Sequence, residues 1–350
     1  MKPLFRFLLC LSATAIVTHG HGQEVIEVQR PNSSKSYLED IAVINDLEQE
    51  DPASAVEALE ALLEKNIAPH EEFGIICWRL SSLYGRLKEY DRFMNVWAKA
   101  QEKGLFFPFL SGDRSNPGFL PEIEDKEALQ RLLDKNEELK QEYGTEVDAE
   151  YFVNTPEGYT TENEYPLILI IHGGAGSHVA SLEYWHSSRT QSEYIVAYIQ
   201  GSVVRGSYLR SFSRKTGLQI IRAAYDQIIQ DYLVDTSRII IGGPSAGGMR
   251  SLQLSLDDLI PAKGLILAFP VKPRELDAGK IMDMALRDVR VAIIGGEHDW
   301  GLKGQKEMAV LFDKLSVANR MVIFPQIGHG YPPDFSDQID QSLDFIWKKQ

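Results

Sequence analysis

Between Tyr165 and the C-terminal end, short apolar runs alternate with segments of helical periodicity. This alternation constrains the possible fold more than any other feature. The runs are YPLILII, YIVAYIQ, RIIIGG, GLILAF, VRVAIIGG and RMVIFP. Continuous apolar strands separated by helices are typical of a parallel sheet covered on both faces. We therefore predict an α/β fold: a mostly parallel sheet with helices on both faces, preceded by a small all-helical domain.

The third run leads into the segment Gly243-Pro244-Ser245-Ala246-Gly247, which fits the pattern G-x-S-x-G. A sharp turn from a strand into a helix needs glycine on both sides of the serine, because larger side chains would collide there. The amino end of the following helix places a positive dipole beside the serine. Ser245 is thus a candidate nucleophile, and the N–H of Ala246 a candidate donor to an oxyanion.

A glycine-rich loop, HGGAGS at residues 172–177, follows the first run. Glycines let the backbone approach a substrate closely, and backbone N–H groups can hold the oxyanion of an acyl transfer. We predict Gly174 as the second oxyanion donor. His172 precedes the serine in the chain; in hydrolases that this loop resembles the corresponding histidine orients the loop, and the resemblance implies that structural role here.

Polar residues follow the last two strands of the predicted sheet. The segment GGEHDWG contains Asp299, which suits a carboxylate that orients a general base, with Glu297 and the more distant Asp277 as rival acids. The segment IGHGYP places His329 on a glycine-flanked loop, where a histidine can act as general base. The order Ser245, Asp299, His329 is the order of a known catalytic triad.

Residues 150–345 resemble serine hydrolases of the α/β-hydrolase superfamily through HGGAG, GPSAGG, GEHD and GHGYP. They look most like the predicted esterase, dienelactone hydrolase and phospholipase/carboxylesterase group. The resemblance implies Ser245 as nucleophile, His329 as base and Asp299 as its orienting acid. It implies cleavage of small or medium carboxylic esters through an acyl-enzyme, which needs neither a metal nor an organic cofactor. We assign residues 146–350 to this catalytic domain.

Residues 36–143 form the predicted helical domain and its connector. AVEALEALLEKN and FMNVWAKAQEKG have a similar shape and lie 38 residues apart, which resembles degenerate tetratricopeptide helix pairs. The alternative is a plain helical bundle. A protein partner is a possible ligand of this domain.

The first 22 residues are typical of a secretory signal peptide. Lys2 and Arg6 precede an apolar stretch that is too short to span a bilayer comfortably, and small residues follow it. An uncleaved anchor is the alternative. We expect an exported protein, periplasmic or secreted.

The net charge of −14 is concentrated in the front part of the chain. Residues 23–164 carry 14 Lys and Arg against 31 Asp and Glu, whereas residues 165–350 carry 20 against 19. Because phosphate binding needs a basic surface, nucleic acid is an unsuitable partner. The basic residues of segment 201–222 suggest an anionic substrate group, and the alternative is a solvated face. They are Arg205, Arg210, Arg214, Lys215 and Arg222.

Two other functions remain open from the residues alone. A peptidase of the same fold would share the chemistry of the triad. A partner-binding protein with an inactive hydrolase domain would use the helical front instead.

Overall fold

The computed structural model describes residues 25–28, 41, 43–45, 47–48, 51–64, 70–107 and 119–348. The predicted signal peptide, residues 1–22, lies outside the described residues. Among the described residues, no helix has both the length and the apolar character needed to cross a membrane.

An eight-stranded sheet forms the centre of the C-terminal part, and a two-stranded sheet lies beside it. The large sheet has the order β1-β2-β4-β3-β7-β8-β9-β10, and β5 pairs with β6. The strands are β1 Val25–Glu27, β2 Ala149–Asn154, β3 Tyr165–Ile171, β4 Ile195–Gln200, β5 Val203–Val204, β6 Arg210–Ser211, β7 Val234–Pro244, β8 Gly264–Ala268, β9 Arg290–Gly296 and β10 Asn319–Phe324.

The six apolar runs of the sequence form β3, β4 and β7 to β10, and these six strands are mutually parallel. β2 is antiparallel to β4, while β1, which the sequence pattern did not indicate, runs parallel to β2. The predicted fold class, a mostly parallel sheet with helices, is confirmed. All six strands end at the same edge of the sheet, so the residues that follow them are brought together.

Helices precede the sheet and connect its strands. They are α1 Pro52–Glu64, α2 His70–Leu87, α3 Tyr90–Glu102, α4 Lys126–Tyr143, α5 His178–Leu182, α6 Ser188–Glu193, α7 Gly217–Asp231, α8 Ala246–Leu256, α9 Ala278–Leu286, α10 Leu302–Lys314 and α11 Phe335–Trp347. A short 3₁₀ helix, Leu120–Glu122, precedes α4.

Alternate residues of the central strand β3 enter two different cores. Leu167, Leu169 and Ile171 pack with α7, α8, α9 and α10 on one face of the sheet. Ile168 and Ile170 pack on the other face with α11 and the segment after α5. Both faces are therefore covered, which is why the strands read as continuous apolar runs rather than alternating ones.

Helices α1 to α4 pack around a separate apolar core. Lys88 has a φ of 60°, which ends α2 and lets α3 begin at Tyr90. Asp125 caps α4 by accepting from the Ala128 N–H. Cys77 is buried in this core, and burial raises the pKa of its thiol to about 12. The tetratricopeptide likeness of this helical domain stays a prediction.

The helical domain is fixed to the sheet domain through the loop between β5 and β6. The Phe106 N–H donates to Ser207 Oγ at 2.9 Å, and the Ser207 N–H donates to the Phe106 carbonyl at 3.0 Å. The next two residues of the loop, Tyr208 and Leu209, pack into the helical core. This junction places α2 beside the edge of the sheet at which the strands end.

Candidate active site

Ser245 lies in the tight turn between β7 and α8. Its φ of 53° and ψ of −118° are unusual for a residue with a side chain, and such strain is typical of an exposed nucleophile. A Cβ on Gly243 would lie 2.1 Å from the Ile171 carbonyl oxygen, and one on Gly247 would lie 1.9 Å from the same atom. The two glycines are required because β3 passes directly against the turn.

The structure brings Ser245, His329 and Asp299 into one hydrogen-bonded chain. His329 Nε2 lies 2.8 Å from Ser245 Oγ, and His329 Nδ1 lies 2.8 Å from Asp299 Oδ1. An Nδ1–H that donates to the carboxylate leaves Nε2 free to accept the serine proton. The arrangement is thus suited to nucleophilic catalysis with general-base assistance.

The Asp299 carboxylate is fully buried, and two further donors hold it in place. The Gly301 N–H donates to Oδ1 at 2.7 Å, and Gln305 Nε2 donates to Oδ2 at 2.7 Å. Gln305 is itself completely buried at the start of α10, and its own Oε1 has no hydrogen-bond partner. Sequence reasoning missed Gln305, because a lone glutamine in an amphipathic helix carries no motif.

The rival acids lie elsewhere. Glu297 is exposed, and its Oε2 accepts from the Gln326 N–H at 3.2 Å. Asp277 caps α9 by accepting from the Lys280 N–H at 3.1 Å. Of the three acids considered from the sequence, Asp299 is the one that the structure places on the imidazole of His329.

The two proposed oxyanion donors lie in neighbouring segments beside the serine. A Cβ on Gly174 would lie 3.9 Å from Ala246 Cβ, and one on Gly173 would lie 3.9 Å from Ser245 Cβ. Ala246 is the first residue of α8, where backbone N–H groups have no partner within the helix. Gly174 is exposed. The loop that carries Gly174 and the turn that carries Ala246 are therefore adjacent, as an oxyanion hole formed by these two residues would require.

His172 anchors the loop that carries Gly174. Its Nδ1 lies 2.8 Å from the Gly173 carbonyl oxygen, and its Nε2 accepts from the Gly201 N–H at 3.1 Å. Burial lowers the pKa of His172 to about 3, against the opposing effect of the Gly173 hydrogen bond. The imidazole is therefore neutral and links the loop to the end of β4.

Aromatic rings surround His329. Trp300, which is 70% exposed, lies with its ring centroid 4.5 Å from that of the imidazole. Phe269 meets the imidazole edge-on at 5.0 Å and has a φ of 36°, a strained value for a residue with a side chain. Tyr331 contacts Phe269 edge-on and stacks on Tyr184 at 3.9 Å. Sequence reasoning did not identify these contacts, which join residues from four separate loops.

The basic residues of segment 201–222 have varied environments. Arg205 Nε donates to Ser211 Oγ at 2.9 Å, and Arg210 Nη1 donates to backbone carbonyls of its own loop. Arg222 forms an ion pair with Asp226, whereas Arg214 and Lys215 are exposed. A role of any of them in binding an anionic substrate stays a prediction.

Comparison with known proteins supplies the fold and leaves the activity open. No protein-family model matches the sequence. No curated protein matches it significantly. Among solved structures, an uncharacterized protein from Bacillus cereus ATCC 10987 aligns with a TM-score of 0.51 at 19% identity, over 91% of this chain and 100% of that one. The likeness therefore spans both the helical domain and the sheet domain.

The strand–turn–helix at Ser245 and the chain order Ser, Asp, His complete the assignment. The chain has the α/β-hydrolase fold. Two weaker structural matches are a Bacillus cereus carboxylesterase, with a TM-score of 0.44 and 17% identity over 56% of this chain and 94% of that one, and a Porphyromonas gingivalis dipeptidyl peptidase 4, with 0.42 and 18% over 58% and 34%. Both TM-scores are below 0.5, so neither match bears on the activity of this chain.

The described residues contain no group of three or more His, Cys, Asp or Glu side chains arranged to hold a metal ion.

Proposed function

We propose that the chain is a serine hydrolase that cleaves carboxylic esters of small or medium size. The observation that carries the proposal is the hydrogen-bonded chain from Ser245 Oγ through His329 to the buried Asp299, with 2.8 Å at each step. An unused site would not need a strained serine, a buried carboxylate and a glutamine that holds the carboxylate.

In the proposed reaction, Ser245 Oγ attacks the ester carbonyl carbon while His329 Nε2 accepts the hydroxyl proton. The N–H groups of Gly174 and Ala246 stabilise the resulting oxyanion. The bond from carbon to the leaving alcohol then breaks, and His329 gives the proton to that alcohol. Water, deprotonated by His329, attacks the acyl-enzyme and releases the acid, which restores the Ser245 hydroxyl. Asp299 keeps the imidazole oriented and stabilises its charged form.

The test is covalent labelling with a fluorophosphonate followed by steady-state kinetics. Wild type is expected to label at Ser245, and the Ser245→Ala variant is expected neither to label nor to hydrolyse esters. Ser192, an exposed serine of α6 whose hydroxyl donates to the Ser188 carbonyl, is the control serine, and its replacement by alanine should leave labelling at Ser245 unchanged. A folded wild type that fails to label would favour the partner-binding alternative.

A panel of simple esters and aminoacyl anilides separates the two hydrolase activities. Hydrolysis of the esters with little action on the anilides is the expected result. The reverse preference would indicate a peptidase. The substrate panel is needed because a triad of this kind can cleave both ester and amide bonds.

We also propose that the chain is exported, and the support for this is the sequence pattern of residues 1–22. Cell fractionation with N-terminal sequencing of the mature protein tests the proposal. A cytoplasmic protein that retains Lys2 and Arg6 would contradict it.

A further inference from the structure

A cavity of about 270 Å³ lies between α2 of the helical domain and the edge of the sheet that carries the triad. The helical domain contributes one wall, including Trp78, Ser82 and Leu83. The opposite wall comes from the glycine-rich loop and the segment around α5, and the loop between β5 and β6 closes one side. These contributions are Ala175, Gly176, Tyr184, Tyr208 and Leu209.

The cavity lies beside two segments that lead to the candidate reacting groups. Ala175 and Gly176 directly follow the proposed oxyanion donor Gly174 in the chain. Tyr184 stacks on Tyr331, which lies two residues after His329 and contacts the same phenylalanine as the imidazole does. The cavity is therefore lined by neighbours of the proposed oxyanion loop and of the His329 loop, while the triad residues themselves are not part of its wall.

The buried arginine in the cavity wall is paired with two carboxylates, while the exposed Arg86 donates to the Glu48 backbone carbonyl at 3.2 Å. Among its described lining residues, Arg79 and Arg86 are positive, and Glu48 and Glu183 are negative. Arg79 is buried and donates to Glu48 at 2.7 Å and to Glu183 at 3.4 Å. A charged group brought into this space would lose hydration without gaining an unpaired opposite charge of the buried network. The wall favours an uncharged occupant.

The loop between β5 and β6, which is part of the basic segment 201–222, also contributes apolar side chains to the cavity wall. Tyr208 and Leu209 line it, while the side chains on either side of them, Arg205 and Arg210, donate to Ser211 Oγ and to backbone carbonyls. Trp78, Phe107 and Tyr184 add further aromatic surface. Aromatic walls are typical of sites that bind apolar ligands.

We propose that this cavity binds an uncharged, aryl-bearing group of the ester substrate, so that the helical domain forms part of the substrate site. The proposal rests on the ester hydrolysis proposed above. A cavity of about 150 Å³ lined by apolar side chains holds one benzene molecule. The larger volume here, about 270 Å³, accommodates a substituted phenyl group or two small rings.

A partly buried hydrogen-bond network connects the two walls. The Tyr184 hydroxyl donates to Asn45 Oδ1 at 2.9 Å, and Arg79 Nη2 donates to the same oxygen. The pocket is thus organised before substrate arrives, which lowers the entropy cost of binding.

The test fills the cavity from its exposed rim with Ser82→Trp. Ser82 is exposed on α2, so the variant should fold. Ala98→Trp, on the exposed face of α3, is the matched control. Hydrolysis is followed in a pH-stat, which detects the released acid, so the reference ester needs no aryl leaving group. The substrates are methyl acetate as the reference, methyl 3-phenylpropanoate, benzyl acetate and monomethyl succinate.

Wild type should hydrolyse at least one of the two aryl esters with a kcat/KM about 10-fold or more above that of methyl acetate, as expected for burial of a phenyl group. Ser82→Trp should remove most of this preference, so that kcat/KM falls at least about fivefold more for the aryl ester than for methyl acetate. Ala98→Trp should behave as wild type. Equal losses on all esters, no loss at all, or a preference for monomethyl succinate would each overturn the proposal.

A binding measurement separates this proposal from the proposed function. In the Ser245→Ala background, ligand-observed NMR should detect methyl 3-phenylpropanoate bound to the protein and released by Ser82→Trp. Retained binding without labelling of wild type by the fluorophosphonate would overturn ester hydrolysis and leave the aryl site standing. Labelling without aryl binding would do the opposite.

Discussion

His172 makes the stability of this protein depend on pH in a way that one substitution can isolate. In the folded chain burial lowers its pKa to about 3, and the positive charges of Arg250 and Arg210 act in the same direction. In the unfolded chain the pKa is about 6.5. The stability that follows from the neutral imidazole is thus fully present above about pH 6.5 and is lost as the pH falls below that value.

The size of the effect follows from the two pKa values. At pH 5 the unfolded histidine binds a proton almost completely, while the folded one, with a pKa of about 3, does not. Proton uptake over the 1.5 pH units between 6.5 and 5, at about 1.36 kcal/mol each, lowers the free energy of unfolding by about 2 kcal/mol. Protonation would also break a hydrogen bond, because a proton on Nε2 of His172 would face the Gly201 N–H that donates to this nitrogen.

The variant His172→Gln keeps an amide that can donate to the Gly173 carbonyl and accept from Gly201, but it cannot titrate. Urea unfolding, followed by circular dichroism and tryptophan fluorescence at pH 7.5, 6.5, 5.5 and 5.0, gives the free energy of unfolding wherever the two probes coincide. Between pH 7.5 and 5.0 wild type should lose about 2 kcal/mol more than the variant.

His298→Gln is the matched control, because His298 is exposed, and it should lose stability in parallel with wild type. His178, which burial gives a lowered pKa of about 4, is present in all three proteins, so its contribution cancels. Parallel curves for wild type and His172→Gln would show that the imidazole is not held neutral and would refute the reasoning.

Three further predictions concern the site. Gln305→Leu removes a donor to the triad carboxylate together with an unpaired buried oxygen, so kcat should fall at least about 10-fold while urea unfolding shows a change under about 1 kcal/mol; an unchanged kcat would contradict this. Gly243→Ala should lower the free energy of unfolding by about 3 kcal/mol or more, because its Cβ would meet a carbonyl oxygen at 2.1 Å. Gly328→Ala, whose Cβ would enter open space, should change the free energy of unfolding by less than about 0.5 kcal/mol in the same urea titrations. Trp300→Ala should lower kcat/KM several-fold at unchanged thermal stability, because an exposed ring that covers the base contributes little to folding.

The sequence was sufficient to predict the parallel sheet, because β3, β4 and β7 to β10 are buried on both faces and read as unbroken apolar runs. It did not indicate β1, because three residues far from the rest of the sheet carry no periodicity. It also did not indicate that β2 runs antiparallel to β4, since strand direction depends on the path of the connection rather than on composition.

The candidate triad was readable because each of its members follows a strand, and parallel strands deliver such residues to one edge. The sequence left Glu297 open as an alternative to Asp299. The two acids are separated by one residue, and only the folded loop places one on the imidazole and the other on the Gln326 N–H.

The sequence by itself determined that a serine, an acid and a histidine follow strands of an α/β sheet, because local periodicity and glycine spacing fix turns and strand ends. The tertiary structure decided what surrounds them. Gln305 on the carboxylate, Trp300 over the imidazole and the α2 wall of the cavity all come from residues distant in sequence or without a motif. Packing between separate elements places them, and no local pattern in the chain encodes that packing.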